Sequence, residues 1–276
     1  MMHLISGWKE FLKILPRQIA AEADLYRSSS PQELRLRVDR PPILVTAAGE
    51  QILQSRVTTD DLNFCVNAAT KYSPWASSTA SEGFVTASGG HRIGICGEAV
   101  GQGNAFKGLR DYRCLCIRIA ADHKGISGAL PGLQGNILII GPPGSGKTTL
   151  LRDLLRELSR QENVGVIDQR WEIFPSGFDP GMRTDILYGC QKDKAMDMLL
   201  RTMAPDTIAM DEITNETDCD ALKKAAWCGV RLIATAHAAN IGELRRRTVY
   251  APLLQCGIFS HAVVLQKDKS FRTERL

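Results

Sequence analysis

No stretch of this sequence holds enough consecutive apolar residues to cross a membrane, so any membrane contact is expected to be peripheral. The first residues lack a secretory-signal pattern, and a cytoplasmic setting is expected. Aromatic residues make up only 6%, and 34 Lys and Arg against 30 Asp and Glu leave a mild net charge of +4. A single-stranded nucleic acid binder usually needs a concentrated basic groove with interleaved aromatics, so nucleic acid is not expected as a partner. The eight cysteines form no ordered framework. Cys114-x-Cys116 is neither a zinc nor a thioredoxin spacing and no second pair complements it, so buried, reduced thiols are expected. Repeats and low-complexity segments are absent. What remains is 44% hydrophobic and 23% charged over 276 residues, suited to a globular chain of one large domain or two.

The stretch that organises the chain is Gly141-Pro-Pro-Gly-Ser-Gly-Lys-Thr148, which fits G-x-x-x-x-G-K-[ST] without a mismatch. Ile137-Leu-Ile-Ile140 before it reads as a buried strand. After it Leu150, Leu151, Leu154, Leu155 and Leu158 recur at helical spacing, with Arg152, Asp153, Arg156 and Glu157 on the other side. Strand, glycine loop and helix are the context in which backbone N–H groups and a helix N-terminus converge on phosphate oxygens. Gly141, Pro142, Pro143, Gly144, Ser145, Gly146, Lys147, Thr148 and Thr149 are therefore the candidate nucleotide-binding residues. Lys147 is expected to reach the β- and γ-phosphates of ATP, and the Thr148 hydroxyl to bind Mg²⁺.

Residues 4–15 carry Leu4, Trp8, Phe11, Leu12 and Leu15 on one helical face, closed by Pro16, which suits core packing or docking to a partner or membrane surface. Glu33–Val38 alternates as a strand, Ile43–Val45 is a second, and residues 60–72 read as a helix. Phe84–Ile95 reads as a hairpin turning at Gly89-Gly90, and Arg113–Ile119 as a further strand. A mixed α+β domain over residues 1–120 is expected, then a linker over 121–135 containing the Gly- and Pro-bearing stretch 125–132. From residue 136 to 276 strand and helix alternate, which predicts a parallel sheet and an overall α/β class. The strand candidates are 137–140, 164–168, 207–211 and 230–235, with 262–265 expected as an antiparallel edge.

Thr207-Ile-Ala-Met-Asp211-Glu212 is an apolar strand ending in two carboxylates. Beside a phosphate loop, Asp211 is the candidate Mg²⁺ residue and Glu212 the candidate base that polarises an attacking water. Asp168-Gln-Arg-Trp-Glu172 ends an intervening strand, a mark of the additional-strand ATPases rather than nucleotide kinases, and Glu172 is a second candidate catalytic carboxylate. Thr235-Ala-His237 closes the following strand, where His237 either senses the γ-phosphate or serves as a hydrogen-bonded structural histidine.

These acidic, Walker B and histidine boxes resemble those of the secretion-type ATPases that power type II and type IV secretion. The resemblance is closest to a sporulation branch of that family. It is carried by Glu33-Leu-Arg-Leu-Arg-Val38, Gly89-Gly-His-Arg-Ile-Gly94, Ile117-Arg-Ile119, the phosphate loop, Asp211-Glu-Ile213, Leu232–His237 and Gly257-Ile-Phe259, and covers Leu34 to the C-terminus. It implies a RecA-like P-loop NTPase domain behind a smaller N-terminal α+β domain. It also implies a cytosolic ring, hexameric in form, at the base of the channel linking mother cell and forespore, with membrane channel proteins as partners. One departure is Gln169, where the family's acidic box carries Glu.

In ring ATPases a guanidinium from the neighbouring subunit neutralises charge on the γ-phosphate. Arg118, in the Ile-Arg-Ile strand, and Arg201, on the helix before Walker B, are the candidates; a strand-end or surface salt bridge is the other reading of each. Arg92 is a weaker candidate. Arg245-Arg-Arg247 reads as a solvated helix face or a contact for acidic lipid. The sequence thus predicts a Mg-dependent ATPase motor. An ATP-binding assembly scaffold with little turnover is the alternative, favoured by Gln169 and opposed by intact Lys147, Asp211 and Glu212. A nucleic-acid-dependent ATPase is a third reading.

Overall fold

The computed structural model describes residues 7–71, 83–102, 105–130 and 132–276. Leu4, residue 72 and Pro131, each within a segment predicted above, lie outside them. The chain forms two compact units, one comprising Met1–Asp122 with Pro175–Phe178, the other His123–Phe174 with Asp179–Leu276.

In the first unit, helices α1 (Trp8–Lys13) and α2 (Arg17–Asp24) precede strands β1 (Pro31–Arg37), β2 (Ile43–Thr46) and β3 (Gly49–Ile52). Helix α3 (Thr59–Ala69) follows, then β4 (Phe84–Thr86), β5 (Arg92–Gln102) and β6 (Ala105–Arg118). The strands pair antiparallel in the order β3-β2-β1-β6-β5-β4. The two-residue period of the sequence divides this sheet. Leu34, Leu36, Ile93, Leu115 and Ile117 are fully buried with Trp8, Phe11 and Leu62 from the helices. Each such side chain removed from water contributes on the order of 2 kcal/mol. Helix α3 starts where Thr58 and Asp61 form a reciprocal capping box. The expected hairpin is present as β4 against β5, and Gly89 and Gly90 between them adopt left-handed φ of 82° and 75°. A Cβ on Gly90 would lie 2.6 Å from Pro175 of the same unit, which excludes any larger residue there.

The second unit is a sheet of order β13-β12-β7-β11-β10-β8-β9 among the described residues. Its strands are β7 (Ile137–Ile140), β8 (Val164–Asp168), β9 (Thr184–Tyr188), β10 (Thr207–Glu212), β11 (Arg231–Ala236), β12 (His261–Leu265) and β13 (Phe271–Arg275). The helices are α4 (Lys147–Leu158), α5 (Lys192–Thr202), α6 (Glu216–Trp227), α7 (Ile241–Arg246) and α8 (Ala251–Gln255). All neighbouring strands are parallel except β12 and β13. Near-continuous apolar runs suit strands buried on both faces. Ile137, Ile139, Val164, Val166 and Ile233 pack with the leucines of α4. Leu138, Ile140, Ile208, Met210 and Leu232 pack with α5 and α6 on the other face.

Three expectations are corrected here. Segment 262–265 is no antiparallel edge: β12 runs parallel to β7, and the antiparallel edge is β13. The strand separating β7 from Walker B in space is β11, whereas β8, which intervenes in sequence, lies beyond β10. Third, Cys96, Cys228 and Cys256 are exposed rather than buried, and among the described residues all eight cysteines are free. The stretch predicted as linker is fastened to α4: Asp153 accepts hydrogen bonds from the Gly125 and Ser127 amides and the Ser127 hydroxyl at 2.7–2.9 Å. Among the described residues, no helix is long and apolar enough to cross a membrane.

Candidate active site

Sequence dictates the loop between β7 and α4. Gly144 and Gly146 sit at φ of 75° and 97°, a region that L side chains rarely adopt. A Cβ on Gly141 would lie 2.5 Å from Ser145 Oγ and 3.0 Å from the Leu265 carbonyl. The result is a tight cradle whose buried Ser145 hydroxyl has no partner among the described residues. Helix α4 begins at Lys147 with no side-chain cap, leaving its first N–H groups and its positive end for an anion. These features fit a triphosphate in the cradle.

Lys147 is buried, and its ammonium donates to the Gly141 and Pro142 carbonyls at 2.9 and 3.2 Å. Burial lowers its pKa, and the charges of Glu212 and Asp211 oppose that effect. Its third contact is His237 Nδ1 at 3.0 Å. His237 Nε2 in turn lies 3.1 Å from Glu212 Oε1. An ammonium can only donate, so Nδ1 accepts and Nε2 carries the hydrogen toward the carboxylate. Three residues singled out from three separate motifs thus form one chain, Lys147–His237–Glu212, across the ends of β7, β11 and β10.

Strand β10 does not end regularly. Its register against β11 shifts between Met210 and Glu212, so Glu212 stands opposite Thr235 and Asp211 occupies a bulge. Asp211 is buried. Burial, then the charges of Glu172 and Asp168, push its carboxyl up to about 6, against the opposing charge of Lys192. Glu172 itself is exposed, on the loop after β8. Asp168 acts on that loop rather than on solvent. Fully buried, it accepts from the backbone N–H groups of Glu172, Ile173 and Phe174 at 2.8–3.0 Å. Burial raises its pKa even so. Arg152 of α4 donates to the Glu172 carbonyl at 2.9 Å and to the Ile173 carbonyl. Trp171, at φ 61°, stacks on Tyr188 with ring centroids 4.1 Å apart. Gln169 is exposed beside this loop.

Arg201 is exposed at the end of α5 that leads into the start of β10, opposite the carboxyl ends of the strands, so within one chain it is not brought to the loop. Arg118 ends β6 in the first unit, exposed, with Glu33 of β1 and Arg92 of β5 as its cross-strand partners. Arg92 itself lies over the Phe84 ring at 4.2 Å. Arg245, Arg246 and Arg247 are exposed.

Sequence reading missed the support of the site. Lys192 and Asp218 form a buried ion pair of 3.0 Å beneath the end of β10, and Arg152 holds the loop bearing Glu172. No motif marks them, because each acts through a backbone carbonyl or a distant partner. Among the described residues no three His, Cys, Asp or Glu side chains converge as a self-contained metal site. Mg²⁺ carried with a nucleotide needs fewer protein ligands, since phosphates and waters complete its shell. Thr148 at the start of α4 and Asp211 are the residues that would hold it.

Comparison with known proteins matches residues 9–273 to the family model described as sporulation stage III, protein AA. The chain belongs to the stage III sporulation protein AA family. Stage III sporulation protein AA of Bacillus subtilis (strain 168) is 34% identical over 256 residues, covering 86% of this chain and 83% of that protein. Competence protein ComGA of Streptococcus pneumoniae is 30% identical over 142 residues, 48% of this chain and 41% of that protein. Among solved structures, the pilus retraction motor PilT with bound ADP superposes with a TM-score of 0.65 at 16% identity, covering 92% of this chain and 77% of that one. The ATPase DotB of Legionella pneumophila gives 0.61 at 15% identity, over 95% and 80%. This chain therefore has the fold of the secretion ATPases, a RecA-like P-loop domain with a smaller N-terminal domain, as the resemblance implied.

Proposed function

We propose that this protein is a Mg-dependent ATPase that hydrolyses ATP to ADP and phosphate as the ring motor of a sporulation channel. The observation that carries the reading is the Lys147–His237–Glu212 chain beside Asp211. It joins the ammonium that this reading assigns to phosphate binding to the carboxylate that it assigns to the attacking water. In this reading the loop from Gly141 to Thr149 cradles the triphosphate, and Lys147 turns from the loop carbonyls to the β- and γ-oxygens. When bound through Thr148 and Asp211, Mg²⁺ supplies charge neutralisation across the phosphates. Glu212 orients and deprotonates the attacking water, and His237, hydrogen-bonded to both Lys147 and Glu212, reports whether the γ-phosphate is present. Glu172 adds a second carboxylate near Asp211.

The proposal extends to architecture. Residues 1–120 serve as the N-terminal domain and 136–276 as the ATPase domain, with 121–135 between them. Copies assemble as a hexamer whose membrane partners are channel proteins on the mother-cell side of the forespore, and Arg118 acts on nucleotide held by a neighbouring copy. Support comes from the family membership and from likeness in fold to ATPases of secretion and pilus machines. Gln169, which withholds a carboxylate from the acidic loop, favours the second reading of an ATP-binding scaffold with little turnover.

Two variants separate the readings. Lys147→Ala should lose most ATP affinity by calorimetry while keeping its circular dichroism spectrum. Glu212→Gln should bind ATP near normally and hydrolyse it roughly a hundred-fold more slowly, the scale of general-base help. Undiminished ATP binding by Lys147→Ala would refute the loop assignment. Turnover absent from the wild type itself, with ATP bound, would favour the scaffold.

A further inference from the structure

The turn after Glu212 is held through both amides and carbonyls. Ile213 N donates to the Thr235 carbonyl at 2.8 Å, and the Ile213 carbonyl accepts from the Tyr250 hydroxyl at 3.0 Å. Thr214 donates to Asp218 Oδ2 through its amide at 2.8 Å and its hydroxyl at 2.9 Å. The Glu212 carbonyl accepts from Lys192 Nζ, and the same ammonium donates to Asp218 Oδ2 at 3.0 Å. Lys192 comes from the first residue of α5 and Asp218 from the first turn of α6, so two helices meet under the strand end.

A buried ion pair is a weak device for stability, because desolvation offsets most of its attraction and a packed apolar pair often does as well. An apolar pair could not donate to the Glu212 carbonyl. Left without a partner, that carbonyl would turn toward water, and the bulge at Asp211 would be free to relax into regular pairing with β11. Regular pairing would point successive side chains to opposite faces and draw Asp211 and Glu212 apart from their present directions.

We propose that Lys192 is a positioning residue for Asp211 and Glu212: locked by Asp218, its ammonium clamps the Glu212 carbonyl and fixes the bulge that aims both carboxylates. Lys192 touches neither nucleotide nor water in this role. The proposal rests on the ATPase reading for its consequence in turnover, while the clamp itself is a property of the chain.

The test uses the full chain with Lys192→Met and Asp218→Asn combined, which removes both partners of the ion pair together. Four quantities are read: thermal midpoint, ATP affinity by calorimetry, kcat, and hydrogen exchange of peptides spanning residues 207–216. The clamp predicts ATP affinity within about three-fold of wild type and kcat reduced about a hundred-fold, the cost of a carboxylate misplaced by about 1 Å. It also predicts exchange at residues 212–215 faster by about ten-fold or more. A folded double variant with kcat and exchange both near wild type would overturn the proposal. Should the double variant not fold, Asp218→Glu keeps both charges paired and lengthens one arm by a methylene, and a kcat loss of about ten-fold with ATP affinity retained is expected; wild-type kcat in that variant would equally overturn the clamp. If the wild type has no turnover at all, the ATPase reading fails, and the exchange measurement alone decides whether Lys192 holds the turn.

Discussion

Burial, helped by the charges of Glu172 and Asp168, pushes the Asp211 carboxyl up to about 6, from an ordinary value of 3.8. That displacement corresponds to about 3 kcal/mol, which the free protein bears to keep the group ionised at neutral pH. The folded state binds this proton more tightly than the unfolded chain does. The penalty is therefore fully present above about pH 6, shrinks as pH falls, and is gone below 3.8. Asp211→Asn should raise the melting temperature of the nucleotide- and magnesium-free protein at pH 8, by up to about 10 °C. The gain should narrow as pH is lowered from 7 to 5. An unchanged or lower midpoint at pH 8 would mean that the carboxylate is better satisfied than its surroundings indicate. Gln169 belongs to the same scale. Asp168 is committed to three backbone N–H groups, so Glu172 is the exposed carboxylate of this loop. Gln169→Glu adds an exposed charge, and exposed charge pairs contribute at most about 1 kcal/mol. The Mg²⁺ concentration for half-maximal ATPase activity should accordingly fall about two- to five-fold, and no change would show that the departure from the family pattern is tolerated.

Elements are fixed by partners that sequence spacing does not reveal. His91, between β4 and β5, is fully buried and donates through Nε2 to the Gly7 carbonyl at 2.9 Å while Nδ1 accepts from the Ala120 amide at 3.1 Å. It thereby ties the start of α1 to the residue just beyond β6. Burial lowers its pKa from 6.5. The unfolded chain then takes up the proton first, so this contribution to stability is present above pH 6.5 and is lost as pH falls from 6.5 through the lower folded value. Wild-type melting, compared by calorimetry with that of His91→Gln between pH 5 and 8, should carry a decline below pH 6.5 that the variant lacks. Parallel declines would remove His91 from this role. The strands β7, β8, β10 and β11 were legible because each is a short apolar run that ends at or leads into a candidate site residue. Strand β9 was not: all of Thr184–Tyr188 is only half-buried, and its composition is mixed. Direction was harder than existence. The pattern of 262–265 marks a strand, but parallel pairing with β7 follows from where the chain returns. Arg152, Asp153 and Arg156 lie opposite the leucines of α4 as spacing indicates, yet they are buried, because Glu172, Ser127 and Asp179 reach them from 20 to 26 positions away.

At the scale of the whole molecule, the open question is how many chains make one active site. Lys147, His237, Glu212 and Asp211 all come from the second unit, and Arg118 belongs to the first. A γ-phosphate losing its bond to ADP spreads charge over its oxygens, and removing an arginine that neutralises it typically lowers turnover on the order of a thousand-fold or more. Arg118 is exposed at the end of β6, with Glu33 and Arg92 as its cross-strand partners. If Arg118 serves nucleotide on a neighbouring copy, Arg118→Ala should bind ATP and scarcely hydrolyse it. Lys147→Ala should fail for the opposite reason, an empty loop with an intact arginine. Mixing the two inactive variants in equal amounts then creates interfaces that pair a sound loop with a sound arginine. Phosphate release should recover to a measurable fraction of wild type, rising with total protein concentration as mixed assemblies form. Mixtures shown by labelled subunits to exchange, yet still inactive, would place the effect of Arg118 within its own chain or in the packing of its sheet.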